Sequence, residues 1–449
     1  MQVVGRTSSF QFKGKNEDLR AVGEKLGVAN VLEGSVRRSG DHARITAQLV
    51  RASDGFHLWS QTYDRTVSDI LAVQLDIAEH VAGALDVVMD DQQRERMRSA
   101  GVKNVDAFIA YQKGLKLYED AHDPARSPEL IAVLRKADVE FARAVEVEPG
   151  FALAHFMSTD LYIHLMIADS TSAAERTAAL NATLSRLDEA LRTMRDPQQR
   201  VFIEADRQLL SSDWRGLVPR LEAAYASKGC GEAIWSMQFG ETFGFGPQVE
   251  ELAARLIACD PLNLPNHLRQ AEAANWAGKP QHALELVHAS ERTLGETSSV
   301  LTAQGIIALL ALGRVDEARA QLATIGAQNE LVGELHLMVG AASGEDRAAM
   351  HKIWEQLDRS RSRLDAWGIV EIALAKLTGD QAEANRLAAK FDARPIGPML
   401  LAVTIQYCQC GAPFDLDAAP NLKARIAEAG LPWPPRETIR FPKLSQEGR

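Results

Sequence analysis

Cysteine, aromatic residues, long apolar runs and excess positive charge are all scarce in this chain of 449 residues. Its four cysteines, Cys230, Cys259, Cys408 and Cys410, are too few and too scattered for a disulfide framework. A reducing compartment is the simplest reading of such sparse cysteine use. Formal net charge is -10, which argues against a general nucleic-acid binder, because phosphate binding needs clustered cations. The longest apolar run, Val300 to Gly313, is too short to span a bilayer and carries Gln304 within it. The start has no apolar signal segment, so a cytoplasmic location with no membrane contact is expected. What remains, 46% hydrophobic and 24% charged residues, is ordinary for a chain that buries real cores.

Catalytic signatures are scarce too. "CQC" (Cys408, Cys410) has one intervening residue, short for zinc, and no second ligand pair lies nearby in sequence. Glu285 with His288, and Asp160 with His164, have carboxylate–histidine spacing on a helix. A metal site inside a bundle needs matching partners on other helices, and none is evident, so helix-face pairing is the better account of both. "FKGKN" lacks the glycine spacing of a phosphate loop. Signatures of a serine or cysteine nucleophile are missing. The expectation is a chain with no catalytic residue, no metal ligand set and no cofactor.

The first ninety residues alternate in period. Val3 to Phe10 reads as a short strand, followed by a helix over "NEDLRAVGEKLGV" with Asn16 as N-cap and Leu19, Val22 and Leu26 at helical spacing. "VLEGSVRR", "ARITAQLVR" and "FHLWSQTYD" then read as a three-stranded meander with turns at "SGDH" and "SDG". In the second strand Ile45, Ala47 and Leu49 face one way while Arg44, Thr46 and Gln48 face the other. Ser68 is placed to cap a long helix with Ile70, Val73, Ile77, Val81, Leu85 and Val88 along one side. Residues 1–51 hold nine Lys or Arg against five acids, a local net of +4. No aromatic stripe interleaves those arginines, so they read as a solvated strand face guarding sheet edges.

This stretch, from "RTSSFQFKGKNEDLR" through "VSDILAVQLDIAEHVAGAL", closely resembles the TolB-like domain of bacterial multidomain regulators, over roughly residues 3–90. In that family the domain follows a class III adenylate cyclase domain or a winged-helix DNA-binding domain and precedes tetratricopeptide repeats. Family members carry a further strand and helix before the equivalent of "VVGRTSSF". The resemblance therefore implies a truncated domain with an under-covered sheet near Val3 to Phe10.

From about residue 104 the pattern is helical throughout. A glycine, an alanine five residues on and an apolar or alanine residue four beyond that recur four times. They are Gly278, Ala283 and Val287; Gly313, Ala318 and Leu322; Gly344, Ala349 and Ile353; and Gly379, Ala384 and Ala388. The alanines are spaced by 35, 31 and 35 residues, a period that resembles tetratricopeptide-type helical hairpins. Ala137, Phe141, Ala144 and Pro149 match the second-helix signature of that family, and Trp214, Leu217, Leu221 and Ala224 suggest another second helix. Such arrays bind partners along a concave face made mainly by first helices. Here the candidate partner groove comprises Leu268, Glu272, Asn275, Ala303 and Ile307. Leu268 and Glu272, like Ala303 and Ile307, stand where a basic clamp for acidic peptide ends would want Lys and Asn, so the clamp is absent. A groove of this make-up reads apolar or mixed side chains. The tail carries six of the 17 prolines, with a short helix around "NLKARIAEAG" expected to cap the array.

The expected fold class is mainly α: a TolB-like α/β domain over 1–92, a tetratricopeptide-repeat solenoid over 93–405 and a proline-rich capping tail over 406–449. The leading functional expectation is a non-enzymatic scaffold or sensor that binds a protein or peptide partner. Its rival is the regulatory part of an adenylate cyclase, or of a transcriptional regulator, whose catalytic or DNA-binding domain lies outside this chain. DNA binding by the basic hairpin is a third, less favoured expectation. Self-association stays open.

Overall fold

The computed structural model describes residues 3–15, 17–85, 102–122, 130–168, 171–231, 235–295, 297–325, 332–360, 369–408, 411–435 and 439. It is mainly helical, with one small antiparallel sheet among the described residues. No helix among them is long and apolar enough to cross a membrane.

The sheet is the expected meander. Strands β1 (Asn30–Ser39), β2 (His42–Arg51) and β3 (His57–Thr66) pair in the order β1-β2-β3, with Ser39 opposite His42 across a turn at Gly40. Ala43, Ile45, Ala47 and Leu49 of β2 are buried, as alternation requires. A register shift at Leu49/Val50 then breaks the period and buries Val50 too. The preceding helix α2 (Leu19–Leu26) starts later than expected. Its N-cap is Asp18, whose carboxylate accepts from Arg20 N at 2.9 Å, while Asn16 lies outside the described residues. Ser68 is not the cap of α3 (Ile70–Ala84). It sits in a one-turn 3-10 segment whose Thr66 hydroxyl donates to Asp69 at 2.6 Å. Ile70, Val73 and Ile77 pack α3 onto Ala43, Ile45 and Tyr63, and Val88 lies outside the described residues.

The expected strand over Val3 to Phe10 is not formed. Residues Arg6–Phe10 make a short helix, α1, that docks on the helical part of the chain. Gly5 N donates to Cys259 O at 2.8 Å and Ser8 N to Asp260 Oδ1 at 2.8 Å. The Ser8 hydroxyl donates to the same carboxylate and accepts from Leu262 N at 2.7 Å. Tertiary hydrogen bonds to a buried carboxylate thus override a local strand pattern. Exposed apolar side chains do occur, at Val3, Phe10 and, on the outer strand β1, Leu32 and Val36.

The helical region runs as α4 (Val105–Ala121), α5 (Leu130–Val147), α6 (Ala152–Met157), α7 (Thr159–Ile167) and α8 (Ala173–Thr193). Next come α9 (Pro197–Leu210), α10 (Leu217–Tyr225) and α11 (Trp235–Gly240). A π-helical turn at Glu241–Phe245 leads into α12 (Gly246–Cys259), α13 (Leu264–Trp276) and α14 (Pro280–Leu294). After these follow α15 (Ser299–Ala311), α16 (Val315–Leu322), α17 (Val332–Ala342), α18 (Arg347–Ser360) and α19 (Ile369–Leu377). The series ends with α20 (Gln381–Asp392), α21 (Gly397–Cys408) and α22 (Pro420–Ala429). From α13 to α18 each helix packs on the next, and α14's neighbours α13 and α15 also touch. Gly278, Gly313, Gly344 and Gly379 take φ of 72°, 74°, 76° and 73°, the left-handed turn that glycine adopts without strain. Ala283, Ala318 and Ala384 are fully buried at the crossings; in the third repeat the buried residue is Met350 and not Ala349. Gly114 serves the same purpose between α4 and α5, since a Cβ there would lie 2.6 Å from the Phe141 ring.

Two features close the array on itself. Helix α21 packs on α11 and the π turn, and Arg394 donates to Ile167 O at 3.5 Å. Helix α22 caps this end as expected, its first amides at Asn421 and Leu422 donating to the Asp392 carboxylate at 2.8 and 2.9 Å. The cysteine reading needs correction. Cys230 and Cys259, 29 residues apart in sequence, form a disulfide with Cα atoms 5.8 Å apart, because the return of α12 brings its last residue beside the segment after α10. Closing a loop of that length removes roughly 3–4 kcal/mol of unfolded-chain entropy.

Asp260 is the residue to test. Replacing it by alanine strands the Ser8 amide and hydroxyl, at about 1–3 kcal/mol. Hydrogen exchange over residues 5–12 should then rise toward unprotected rates while amides of α14–α16 stay unchanged. Retained protection over 5–12 would show that other contacts hold α1.

Candidate functional site

The five groove candidates do not line an open channel. Leu268 is half-buried; Glu272, Asn275, Ala303 and Ile307 are buried. Asn275 Nδ2 donates to Gln304 O and Oε1, both at 3.1 Å, tying α13 to α15. Glu272 meets Arg269 at 2.7 Å, and the same guanidinium lies 3.6 Å from Glu241 in the π turn. Burial and the nearby Glu272 push the Glu241 carboxyl well above the usual range, with Arg269 opposing. Ala303 and Ile307 belong to an apolar cluster of α13–α19 that also takes in Ile439, a tail residue only 1% exposed.

A second concentration of chemistry lies where α4, α7, α8 and α9 meet. A cavity of about 30 Å³, room for a water or two, is lined by Tyr118, Thr159, Asp160, Leu187, Asp206 and Trp235, among others. Asp206 on α9 is fully enclosed, and its Oδ1 accepts from Ser236 N at 2.9 Å. Loss of water raises its carboxyl to about 7, against the lowering effect of the Ser236 and Trp235 hydrogen bonds. Burial raises the nearby Tyr225 phenol as well, with Glu241 and Asp206 reinforcing the rise.

Asp160 borders the cavity and, on its other side, faces two histidines. His122, just past the end of α4, has Nε2 3.4 Å from Asp160 Oδ2; His164, one turn along α7, has Nε2 3.7 Å from the same oxygen. The imidazole rings lie 5.7 Å apart. Burial holds His164 below the ordinary histidine range, with Asp160 opposing and His122 reinforcing. The spacing of Asp160 and His164 was visible in sequence, but the third member comes from another helix 38 residues earlier. No sequence signal connects His122 to them. By contrast Glu285 and His288 do not form a pair: Glu285 faces His282 at 3.8 Å and His288 faces Glu291 at 3.6 Å. Of the "CQC" pair, Cys410 and the Cys408 side chain lie outside the described residues.

Two substitutions probe the buried charges. Between about pH 4 and pH 7 the folded chain holds a proton on Asp206 that the unfolded chain has released, so stability falls as pH rises across that window. Asp206→Asn keeps an acceptor for Ser236 and removes the titration. In urea unfolding the variant should gain on the parent from about pH 4 to pH 8, by on the order of 4 kcal/mol. A difference independent of pH would mean that Asp206 stays ionised in the fold. Arg269→Met leaves Glu241 and Glu272 facing each other without a cation and should cost about 3–5 kcal/mol in the same measurement; a loss under 1 kcal/mol, the scale of an exposed pair, would contradict it.

No family model matches this sequence. It is similar to a protein of Rhizobium meliloti (strain 1021) named "Putative adenylate cyclase 3", with 37% identity over 153 residues. The match covers 34% of this chain, and the chain spans about a quarter (25%) of the length of that relative.

Proposed function

We propose that this chain is a non-enzymatic interaction module, a TolB-like α/β unit joined to tetratricopeptide-type helical hairpins, that serves a regulatory role in signalling of the adenylate-cyclase kind. The observation that carries the reading is Ile439. A side chain from the tail is buried in the apolar cluster that holds the groove candidates Ala303 and Ile307. A hairpin face that buries an apolar anchor from its own chain can accept one from a partner, with the tail as competitor. The partner that fits is a protein segment presenting an apolar anchor, since Arg269 is already engaged by Glu241 and Glu272.

A second reading has one observation in its favour, the name of the partial relative. In that reading the chain is the regulatory portion of an adenylate cyclase, or of a transcriptional regulator, whose catalytic or DNA-binding domain lies outside it. Both readings give the chain no catalytic residue of its own, and the Cys230–Cys259 disulfide counts against the cytoplasmic location expected from sequence.

One pair of measurements tests the lead proposal. A labelled peptide of residues 431–449 should bind the full-length Ile439→Asp chain more tightly than the parent, by fluorescence anisotropy, and adding Ile307→Asp should abolish that binding. Equal or absent binding to both chains would remove the tail-competed face. Purified chain with ATP and Mg²⁺ or Mn²⁺ should yield no cyclic AMP, and formation above the protein-free blank would overturn the non-enzymatic reading.

A further inference from the structure

We propose that His122, Asp160 and His164 form a binding site for one divalent transition-metal ion of the zinc class. The argument starts from the His122 tautomer. Its Nδ1 lies 2.9 Å from Tyr118 O, a pure acceptor, so the ring proton sits on Nδ1 and Nε2 carries a lone pair. That lone pair faces Asp160 Oδ2 at 3.4 Å. This oxygen is itself buried and accepts no hydrogen bond. Two acceptors therefore confront each other, and His164 Nε2 stands 3.7 Å from the same oxygen.

A cation resolves that confrontation. All three ligand atoms lie within 4.8 Å of one another. Zinc bonds of about 2.0–2.1 Å at tetrahedral angles put ligand atoms roughly 3.4 Å apart, so the two Asp160–histidine distances already fit closely and the histidine pair closes by at most about 1.4 Å. Two imidazoles and one carboxylate suit zinc or a neighbouring transition ion better than magnesium or calcium, which take oxygen. The backbone carbonyl of Tyr118 is the outer partner that fixes the ligating ring, a recurrent feature of metal-bound histidine. Three protein ligands leave one position open for a water. The rival occupant is a proton, making His122 an imidazolium paired with Asp160.

Calorimetric titration of metal-stripped full-length chain with Zn²⁺ separates the two. One equivalent should bind, and Co²⁺ should give the intense visible absorption of a four-coordinate ion. His122→Ala and His164→Ala should each lower affinity by at least roughly 100-fold, since outer-ligand losses alone cost 10–100-fold. His122 lies past the helix end with its side chain 36% exposed, so its variant decides the matter if His164→Ala fails to fold. No saturable binding, or one equivalent bound equally tightly by the His122 variant, would overturn the assignment.

Discussion

A helical hairpin has one apolar face and nothing of its own to bury it against, and that constraint governs most of this molecule. The solution is sharing. One apolar cluster runs from Ile163 on α7 to Leu431 after α22, and a second joins α13 through α19. Buried alanines at the crossings bring helices close, and positive-φ glycines between them reset the chain direction each time. Stacking alone would leave the last hairpin exposed. Here α21 folds back on α11 and the π turn, so the terminal hairpins are covered by earlier ones.

Closure has an electrostatic consequence. Groups that an open array would leave in water become enclosed, and they need partners. Glu241 and Glu272 share Arg269, the Asn275 amide NH2 donates to Gln304, and burial raises the Asp206 carboxyl to about 7 against the hydrogen bonds of Ser236 and Trp235. Their burial explains why residue identity at the groove positions was a poor guide to exposure. A position on the concave helix is open only if nothing else in the chain has filled the concavity.

Much of the architecture was legible in sequence because it is local and periodic. The meander, α2, the buried face of α5 with Ala137 and Phe141, and the hairpin glycines all follow from short-range pattern. What escaped reading is non-local. Residues 6–10 became helical because Asp260, about 250 residues away, offers a buried acceptor to Ser8. Cys230 meets Cys259 only because α12 returns to it, and His122 meets Asp160 only because α4 ends beside α7. Composition and spacing carry no trace of such meetings, since each depends on how far an array curves before it closes.

The polar clusters also have a common location. The first hairpin, α4 with α5, packs through two small apolar clusters shared with α6 and α7 and contributes no buried residue to the large core. Its links onward combine apolar contacts, through Leu161, Phe151 and Ala154, with polar ones. Tyr162 donates to Asp138 at 2.9 Å and accepts from Arg186 at 2.8 Å, while His122 meets Asp160 and His164 one turn away. The α1 segment is likewise held through Ser8 and Asp260. Apolar contact is proportional to area and indifferent to ligands, whereas a hydrogen-bonded or ionic junction changes strength with protonation, ions or a competing partner. Where such polar junctions join elements, a bound ligand or a change of protonation acts on the junction more directly than on the apolar core.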